Sequence, residues 1–90
     1  MNSAIMQAKY PIVGTKCFIK VVIGRPEIDP KSKHGDRRCK CTVSAHSNRK
    51  NFYIYGVDEI QCVWIALKQI KVVVSELEKK MKIKGEYYYW

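Results

Sequence analysis

Hydrophobic and polar residues alternate along two segments in the first half of the chain, residues 16–23 and 38–45. A period of two residues is typical of β-strands that bury one face. The apolar face of these segments comprises Cys17, Ile19, Val21, Ile23, Cys39, Cys41, Val43 and Ala45. The opposite face comprises Lys16, Phe18, Lys20, Val22, Arg38, Lys40, Thr42 and Ser44. Residues 51–55, NFYIY, predict a shorter strand in which Tyr53 and Tyr55 share a face.

The second half of the chain changes to a helical period. Residues 57–83 carry apolar side chains at steps of three and four, which predict a long amphipathic helix. Asp58 is the expected N-cap, Gln61 completes a capping-box pattern, and Gly85 is the expected stop. The stripe expected to face the core comprises Ile60, Val63, Leu67, Ile70, Val74, Leu77 and Met81.

These elements predict a single α+β domain over residues 1–90, an antiparallel β-meander of three to four strands with one long C-terminal helix packed on one face. The apolar stripe of the helix must be covered, and the cysteine-bearing face of the strands is the large apolar surface available. Pro11 cannot donate to a ladder, so residues 1–15 are assigned to an edge strand or arm. The meander then occupies residues 16–56, the helix residues 57–83 and a tail residues 84–90.

Residues 24–36, GRPEIDPKSKHGD, are too long and too charged for an ordinary hairpin turn. Pro26 and Pro30 prevent regular pairing, and we interpret the segment as a structural connection between strands. We expect Arg25 to pair with Asp36 or Asp58 and to hold the loop in place.

Charge and cysteine content narrow the class of protein. Seventeen Lys and Arg oppose eight Asp and Glu, and the net charge of +9 favours nucleic acid or an acidic protein as a partner. No apolar run approaches the ~20 residues that span a bilayer, and no secretory signal is visible. Cytoplasmic localisation, without membrane contact, is expected. Four cysteines fall at apolar positions and are expected to be reduced and buried: Cys17, Cys39, Cys41 and Cys62.

The sequence favours a protein that is not an enzyme. It contains no phosphate-cradling Gly-rich loop, no nucleophile elbow and no metalloprotease helix. Glu27, Asp29, His34 and Asp36 could form an acid–base pair or bind a divalent cation, but cations interleave with them and surface ion pairing explains the same pattern. The one-residue gap in Cys39-x-Cys41 differs from that of a zinc knuckle. We expect no catalytic residue, no metal and no cofactor.

One face of the expected sheet stays uncovered, and cationic and aromatic residues share it. Rings can stack on bases while Lys and Arg hold phosphates, which is the combination found in sheet-based single-strand binders. Strand propensity alone also favours such residues, and a protein partner could cover them. The candidate nucleic-acid-binding residues are Lys16, Phe18, Lys20, Arg38, Lys40, Tyr53 and Tyr55.

The outer side of the helix offers a second candidate surface, formed by Trp64, Ile65 and Val72. Single exposed apolar residues are normal. Three close together indicate a patch for a protein partner or a homodimer. The alternative function is therefore a protein–protein interaction module of the inhibitor or immunity type, to which the aromatic tail could contribute.

Three short motifs occur in order along the chain: IGRPEID, GDRRC and YGVDEIQCVWIALKQI. They resemble a family of small bacterial domains of unknown function with the pattern GRP, GDxxC and GVDxxQ. The resemblance covers residues from about 16 to about 75 and implies a β-meander followed by a helix, with no known activity. The sequence departs from the pattern at Arg37 and Arg38, where an aromatic residue is often found, and in its basic tail. The matched positions are Gly24, Arg25, Pro26, Asp36, Cys39, Gly56, Asp58 and Gln61.

Overall fold

The computed structural model describes residues 4–87 of the chain. Five strands and one helix follow one another as β1 (Ala4–Pro11), β2 (Phe18–Gly24), β3 (Glu27–Ile28), β4 (Arg37–Ala45), β5 (Asn48–Gly56) and α1 (Glu59–Met81). The expected α+β fold is confirmed. The sheet has five strands rather than three or four because the first segment forms a full edge strand and the long loop contributes two paired residues.

All strand pairs are antiparallel, and β4 lies at the centre of the sheet. The second half of β4 pairs with β2, from Ile19 opposite Ala45 to Ile23 opposite Cys41. The first two residues of β4 pair with β3, and its other edge pairs with β5 along the whole length. Strand β1 pairs with β2, so β1 and β5 lie on opposite outer edges, and the short β3 also pairs on one side only.

Helix α1 begins where the sequence predicts. The Asp58 carboxylate accepts a hydrogen bond from the Gln61 backbone N–H at 2.7 Å, and the Gln61 side chain accepts one from the Val57 N–H at 2.7 Å. The predicted end of the helix is wrong. The helix ends at Met81, before the expected end at residue 83, so Gly85 does not terminate it. Lys82 adopts the left-handed conformation (φ 57°) and caps the last turn.

The helix packs against the cysteine-bearing face of β4 and β5, as expected. Its buried residues are Cys62, Ala66, Ile70, Val73, Val74 and Leu77. The prediction that Ile60 and Leu67 face the core is wrong, since they are 83% and 48% exposed. A Cβ atom on Gly56 would lie 2.8 Å from the Cys62 backbone nitrogen, so strand and helix approach closely here. Small side chains at Cys62 and Ala66 permit that approach, which turns the larger residues outward.

Both ends of the sheet are held by segments outside the regular elements. The backbone N–H of Val13 donates to the Lys84 carbonyl and that of Glu86 to the Pro11 carbonyl, both at 2.8 Å. This ties the tail to the end of β1; residues 88–90 lie outside the described part of the chain. In the 24–36 loop, Asp29 N–H donates to the Asp36 carbonyl at 2.8 Å, which supports the interpretation of a structural connection.

Two further predictions about individual residues are wrong. Within residues 4–87 the ion pairs are Arg38–Glu27 and Lys50–Glu76, so Arg25 does not pair with either expected acid. Cys17 is exposed in the turn before β2, because the strand begins at Phe18 and the alternation does not extend back to it.

Candidate functional site on the open sheet face

The face of the sheet opposite α1 consists of cross-strand rows, because residues directly opposite one another in antiparallel strands point the same way. We call this surface the open face. Reading across the strands, its rows are Pro11–Phe18, Lys9–Lys20–Ser44–Arg49, Gln7–Val22–Thr42–Asn51, Lys40–Tyr53 and Glu27–Arg38–Tyr55. Cations and rings therefore occupy a continuous surface across four strands.

The second row concentrates positive charge. Lys9 stands directly opposite Lys20, and Arg49 lies in the same row on β5 beyond Ser44. All three cations are exposed. Like charges directly opposite one another in a sheet are destabilising. Among the strand residues of the open face the one acid is Glu27, which lies one row beyond Lys40 and three rows from Lys9 and Lys20, so no strand carboxylate stands beside these cations.

Arg38 is already engaged by its neighbours. Its Nε donates to the Glu27 Oε1 at 2.8 Å, and its guanidinium carbon lies 4.6 Å from the centre of the Tyr53 ring. The hydrogen bond to Glu27 raises the pKa of Arg38 above its ordinary value. This arginine orders one end of the open face, while Lys9, Lys20, Lys40 and Arg49 retain charge without an ion-pair partner in the described structure.

Three aromatic rings are exposed on the open face. Phe18 is 48%, Tyr53 39% and Tyr55 54% exposed. Tyr53 and Tyr55 have ring centres 6.5 Å apart and tilted planes. Since Arg38 covers one side of the Tyr53 ring, Phe18 and Tyr55 are the rings with more surface for a stacked ligand.

The sequence identified part of this surface. Phe18, Lys20, Lys40, Tyr53 and Tyr55 are exposed on the open face as expected. Arg38 shares that face but is half-buried and ion-paired. Lys16, in contrast, lies in the turn before β2 and belongs to no strand row.

Two cations of the open face were not singled out from the sequence. In the sequence, Gln7 and Lys9 alternate with Ala8 and Tyr10, which would have indicated a strand with Lys9 on its polar face. Pro11 in the same segment made that strand assignment weaker. Arg49 lies before the strand expected at residues 51–55, whereas β5 starts at Asn48 after a two-residue turn in which His46 has a positive φ of 53°. Because this hairpin turn is so short, the strand begins at Asn48, three residues before the expected start at residue 51.

The candidate patch on the helix is divided by the packing. Trp64 and Val72 are 56% and 48% exposed, but Ile65 is half-buried and packs against the core. Ile65 therefore offers less free surface than Trp64 and Val72. The Lys68 ammonium lies 3.7 Å from the centre of the Trp64 ring.

Trp64 also lines a groove of about 480 Å³, which lies between the first half of α1 and the start of the 24–36 loop. The helix side of the groove presents Ile60 and Leu67, the residues that were expected in the core. Its lining consists of Arg25, Pro26, Glu59, Ile60, Val63, Trp64 and Leu67.

The buried cysteines have no reactive character. Burial raises the pKa of the Cys41 thiol to about 12 and that of Cys62 to about 11, and it also raises the pKa of Cys39. The Cys62 thiol donates to the Ile54 carbonyl, with 3.8 Å between sulfur and oxygen. A neutral thiol is a poor nucleophile and a poor metal ligand. The described residues contain no cluster of three or more His, Cys, Asp or Glu suited to hold a metal ion.

Comparisons with protein-family models, curated proteins and solved structures give no match to this chain. In the part of the chain that the structure describes, α1 lacks the long apolar stretch needed to cross a bilayer.

Proposed function

We propose that this protein binds single-stranded nucleic acid on the open face of its sheet. The observation that carries the proposal is the row of Lys9, Lys20 and Arg49, in which like charges stand together with no acid among them. Such a row costs stability in the free protein and is relieved when phosphate groups neutralise it. Electrostatic binding of this kind is independent of base sequence.

The exposed rings extend the surface on both sides of the cation row. Phe18 lies at one end of the open face and Tyr55 at the other, four rows apart. At ~3.4 Å per residue and two residues per row, the surface is about 27 Å long. Bases of a single strand can stack on rings along this length while Lys20 and Lys40 contact the backbone between them.

The geometry favours a single strand over a duplex. Flat rings on a sheet require unpaired bases to stack on. Reading a duplex usually requires a helix or a two-stranded ribbon that enters the major groove, and α1 packs on the opposite face of the sheet.

The salt dependence of binding tests the proposal. Fluorescence anisotropy of a labelled mixed-sequence oligonucleotide, with full-length protein, should give a plot of log K against log salt with a slope of about −3, since four unpaired cations neutralise four phosphates at ~0.7 each. Binding that does not change with salt, or that is absent at low salt, overturns the proposal.

Matched variants locate the interface. Lys20→Gln should reduce the magnitude of the slope by about 0.7. Tyr55→Ala should weaken binding by ~1–3 kcal/mol through lost stacking, and Tyr53→Ala by less because Arg38 already covers one side of that ring. Lys71→Gln removes the same charge from an exposed position on α1, so equal losses for Lys20→Gln and Lys71→Gln would place binding elsewhere.

The cellular setting belongs to the same proposal. Three buried free thiols support residence in a reducing compartment, the cytoplasm. Membership of the small bacterial family with the GRP, GDxxC and GVDxxQ motifs stays a prediction, as does the absence of enzymatic activity.

A second candidate function is a protein-interaction module, and the groove beside α1 favours it. Ile60 is 83% exposed in an apolar groove that Arg25 and Glu59 also line, and Lys68 lies over the Trp64 ring at its edge. The apolar face of an amphipathic helix would fit this groove. A discrete polypeptide that co-purifies with the wild-type chain should be lost in Leu67→Lys and retained in Lys20→Gln. A high ratio of absorbance at 260 nm to 280 nm in the purified protein would instead point to nucleic acid.

A further inference from the structure

The outer edge of β5 is open along its length. Strand β5 pairs with β4 on one side, and no described strand or loop pairs with the other. Its second part, Asn51–Gly56, contains six uncharged residues and four of the best strand formers, Phe52, Tyr53, Ile54 and Tyr55. Natural proteins protect such an edge with charges, proline or bulges, or they pair it. The charges of β5 stand at its other end, Arg49 and Lys50.

The helix above this edge also leaves apolar side chains partly uncovered. Lys50 Nζ lies 3.7 Å from Glu76 Oε2, so the Glu76 side of α1 overhangs β5. Val72 and Ile65 stand four and eleven residues before Glu76, on the same side of the helix. Val72 is 48% exposed, and both Ile65 and Phe52 are only half-buried although they contact the core. The apolar core therefore continues to the surface at the β5 edge.

From these observations we infer that two copies of this chain associate through their β5 edges, with β5 antiparallel to β5 of the partner. A two-fold axis through Phe52 places Asn51 opposite Tyr53 and Arg49 opposite Tyr55 of the partner subunit. A parallel arrangement would set Arg49 and Lys50 against their own copies, which is unfavourable. The position of the charges thus selects the antiparallel, symmetric arrangement, which is also the closed one.

The same axis brings the helices together. Opposed residues of antiparallel strands share a face, so both helices lie on one side of the joined sheet. Each helix packs over β4 and β5, so the two helix axes come to about 10 Å, twice the strand spacing and the usual distance between packed helices. Val72 and Ile65 then cover each other's half-exposed surface.

Dimerisation would join the open faces of the two copies into one larger surface, but it does not require that this surface binds nucleic acid. In the dimer the open faces of both copies lie on the other side of one sheet of ten strands, with the two Tyr53 residues diagonal to each other across the axis. Dimerisation is independent of nucleic-acid binding. A dimer that binds no oligonucleotide overturns the proposed function alone, and a monomer that binds oligonucleotide overturns this inference alone.

Sedimentation equilibrium of the full chain, with two matched variants, tests the inference. Val72 and Leu67 are each 48% exposed on α1, but Val72 lies on the β5 side and Leu67 in the groove. Val72→Lys should weaken dimerisation by at least about tenfold, because it brings two cations together at the axis, whereas Leu67→Lys should leave it unchanged. Circular dichroism checks that both variants are folded.

Amide hydrogen exchange of the wild type at two concentrations gives a second measurement. Amides of β5 should exchange more slowly at the concentration where the chain is dimeric. A chain that is monomeric at about 1 mM, corresponding to association weaker than −4.1 kcal/mol, overturns the inference. A dimer that is weakened by Leu67→Lys and not by Val72→Lys, with unchanged β5 exchange, overturns it too and assigns the contact to the groove.

Discussion

Lys9 and Lys20 stand opposite each other across two strands, and the position of this pair on the open face is the residue-level basis of the proposed function. Both lysines are exposed, and the same row continues to Arg49. Their charges repel in the free protein and attract phosphate when it is present. Under the proposed function, the pair lowers the stability of the free protein and raises its affinity for nucleic acid.

Lys9→Glu should separate these two effects. An opposite-charge pair with Lys20 replaces a like-charge pair, so unfolding in urea should require ~0.2–1 kcal/mol more, while oligonucleotide binding falls about tenfold or more at low salt. Lys71→Glu changes the net charge equally on α1 and should alter binding far less. A Lys9→Glu protein that is less stable and binds normally would show that the row has no such role.

The thiols beneath the helix make stability sensitive to alkaline pH. Burial raises the pKa of Cys41 to about 12 and of Cys62 to about 11, from an ordinary value of 9.0. Above pH 9 the unfolded chain releases these protons and the folded chain retains them, so stability that is complete below about pH 9 declines as pH rises toward 11–12.

The corresponding measurement is the urea midpoint of wild type and Cys41→Ala at about pH 7.5 and about pH 10. The variant is less stable at both values because it leaves a small cavity, but its loss between them should be smaller than that of the wild type. Equal losses would mean that lysines and tyrosines, common to both proteins, account for the pH dependence.

Solvent exposure also distinguishes the four thiols chemically. Cys17 is exposed, whereas Cys39, Cys41 and Cys62 are buried and have raised pKa values. Iodoacetamide at about pH 8 should modify Cys17 in the native protein and all four residues in denaturant, as read by mass spectrometry. Rapid native modification of Cys39 or Cys62 would contradict the packing of α1 on the sheet.

At the level of elements, the junction between β5 and α1 fixes the position of the helix. Gly56, the last residue of β5, lies so close to the backbone of Cys62 that no side chain would fit between them. Asp58 caps the helix two residues later. The strand end and the helix start are therefore held as one unit. The cap satisfies a backbone N–H that would otherwise have no partner in the helix.

Asp58→Ala should reduce the free energy of unfolding by about 1 kcal/mol, because the bond from the Gln61 N–H to the Asp58 carboxylate is lost. Asp58→Asn is the control, since its side-chain oxygen accepts the same bond and should preserve most of the stability. Urea unfolding monitored by circular dichroism measures both. Equal losses for alanine and asparagine would indicate that charge, and not the hydrogen bond, is what matters at this position.

At the level of the whole molecule, the division between two faces of the sheet assigns separate roles to separate surfaces. The helix covers one face and buries the core, and the other face presents the cations and rings. Phe18 and Tyr55 lie at opposite ends of that face, about 27 Å apart on the strand geometry.

Because these rings share no neighbour, their contributions to binding should add. For an oligonucleotide long enough to reach both, the double variant Phe18→Ala with Tyr55→Ala should lose the sum of the single losses, within ~0.3–0.5 kcal/mol. Anisotropy titrations at fixed low salt give the four affinities. A double variant no weaker than either single one would mean that one ring alone contacts the strand.

The sequence alone determined the properties that neighbouring residues control. Alternation defined the two faces of β2 and β4, and local capping residues defined the start of α1. These follow from backbone geometry within a few residues, so that pattern and propensity suffice.

Tertiary structure decided the features that depend on contacts between segments far apart in the sequence. Pairing of β1 with β2 and of β5 with β4 placed Lys9, Lys20 and Arg49 in one row, although they lie far apart in the chain. Packing of small residues against the sheet set the rotation of α1 and left Ile60 exposed. Register and rotation are chosen by the fit between surfaces, and an amphipathic pattern with apolar residues on more than one side permits several fits.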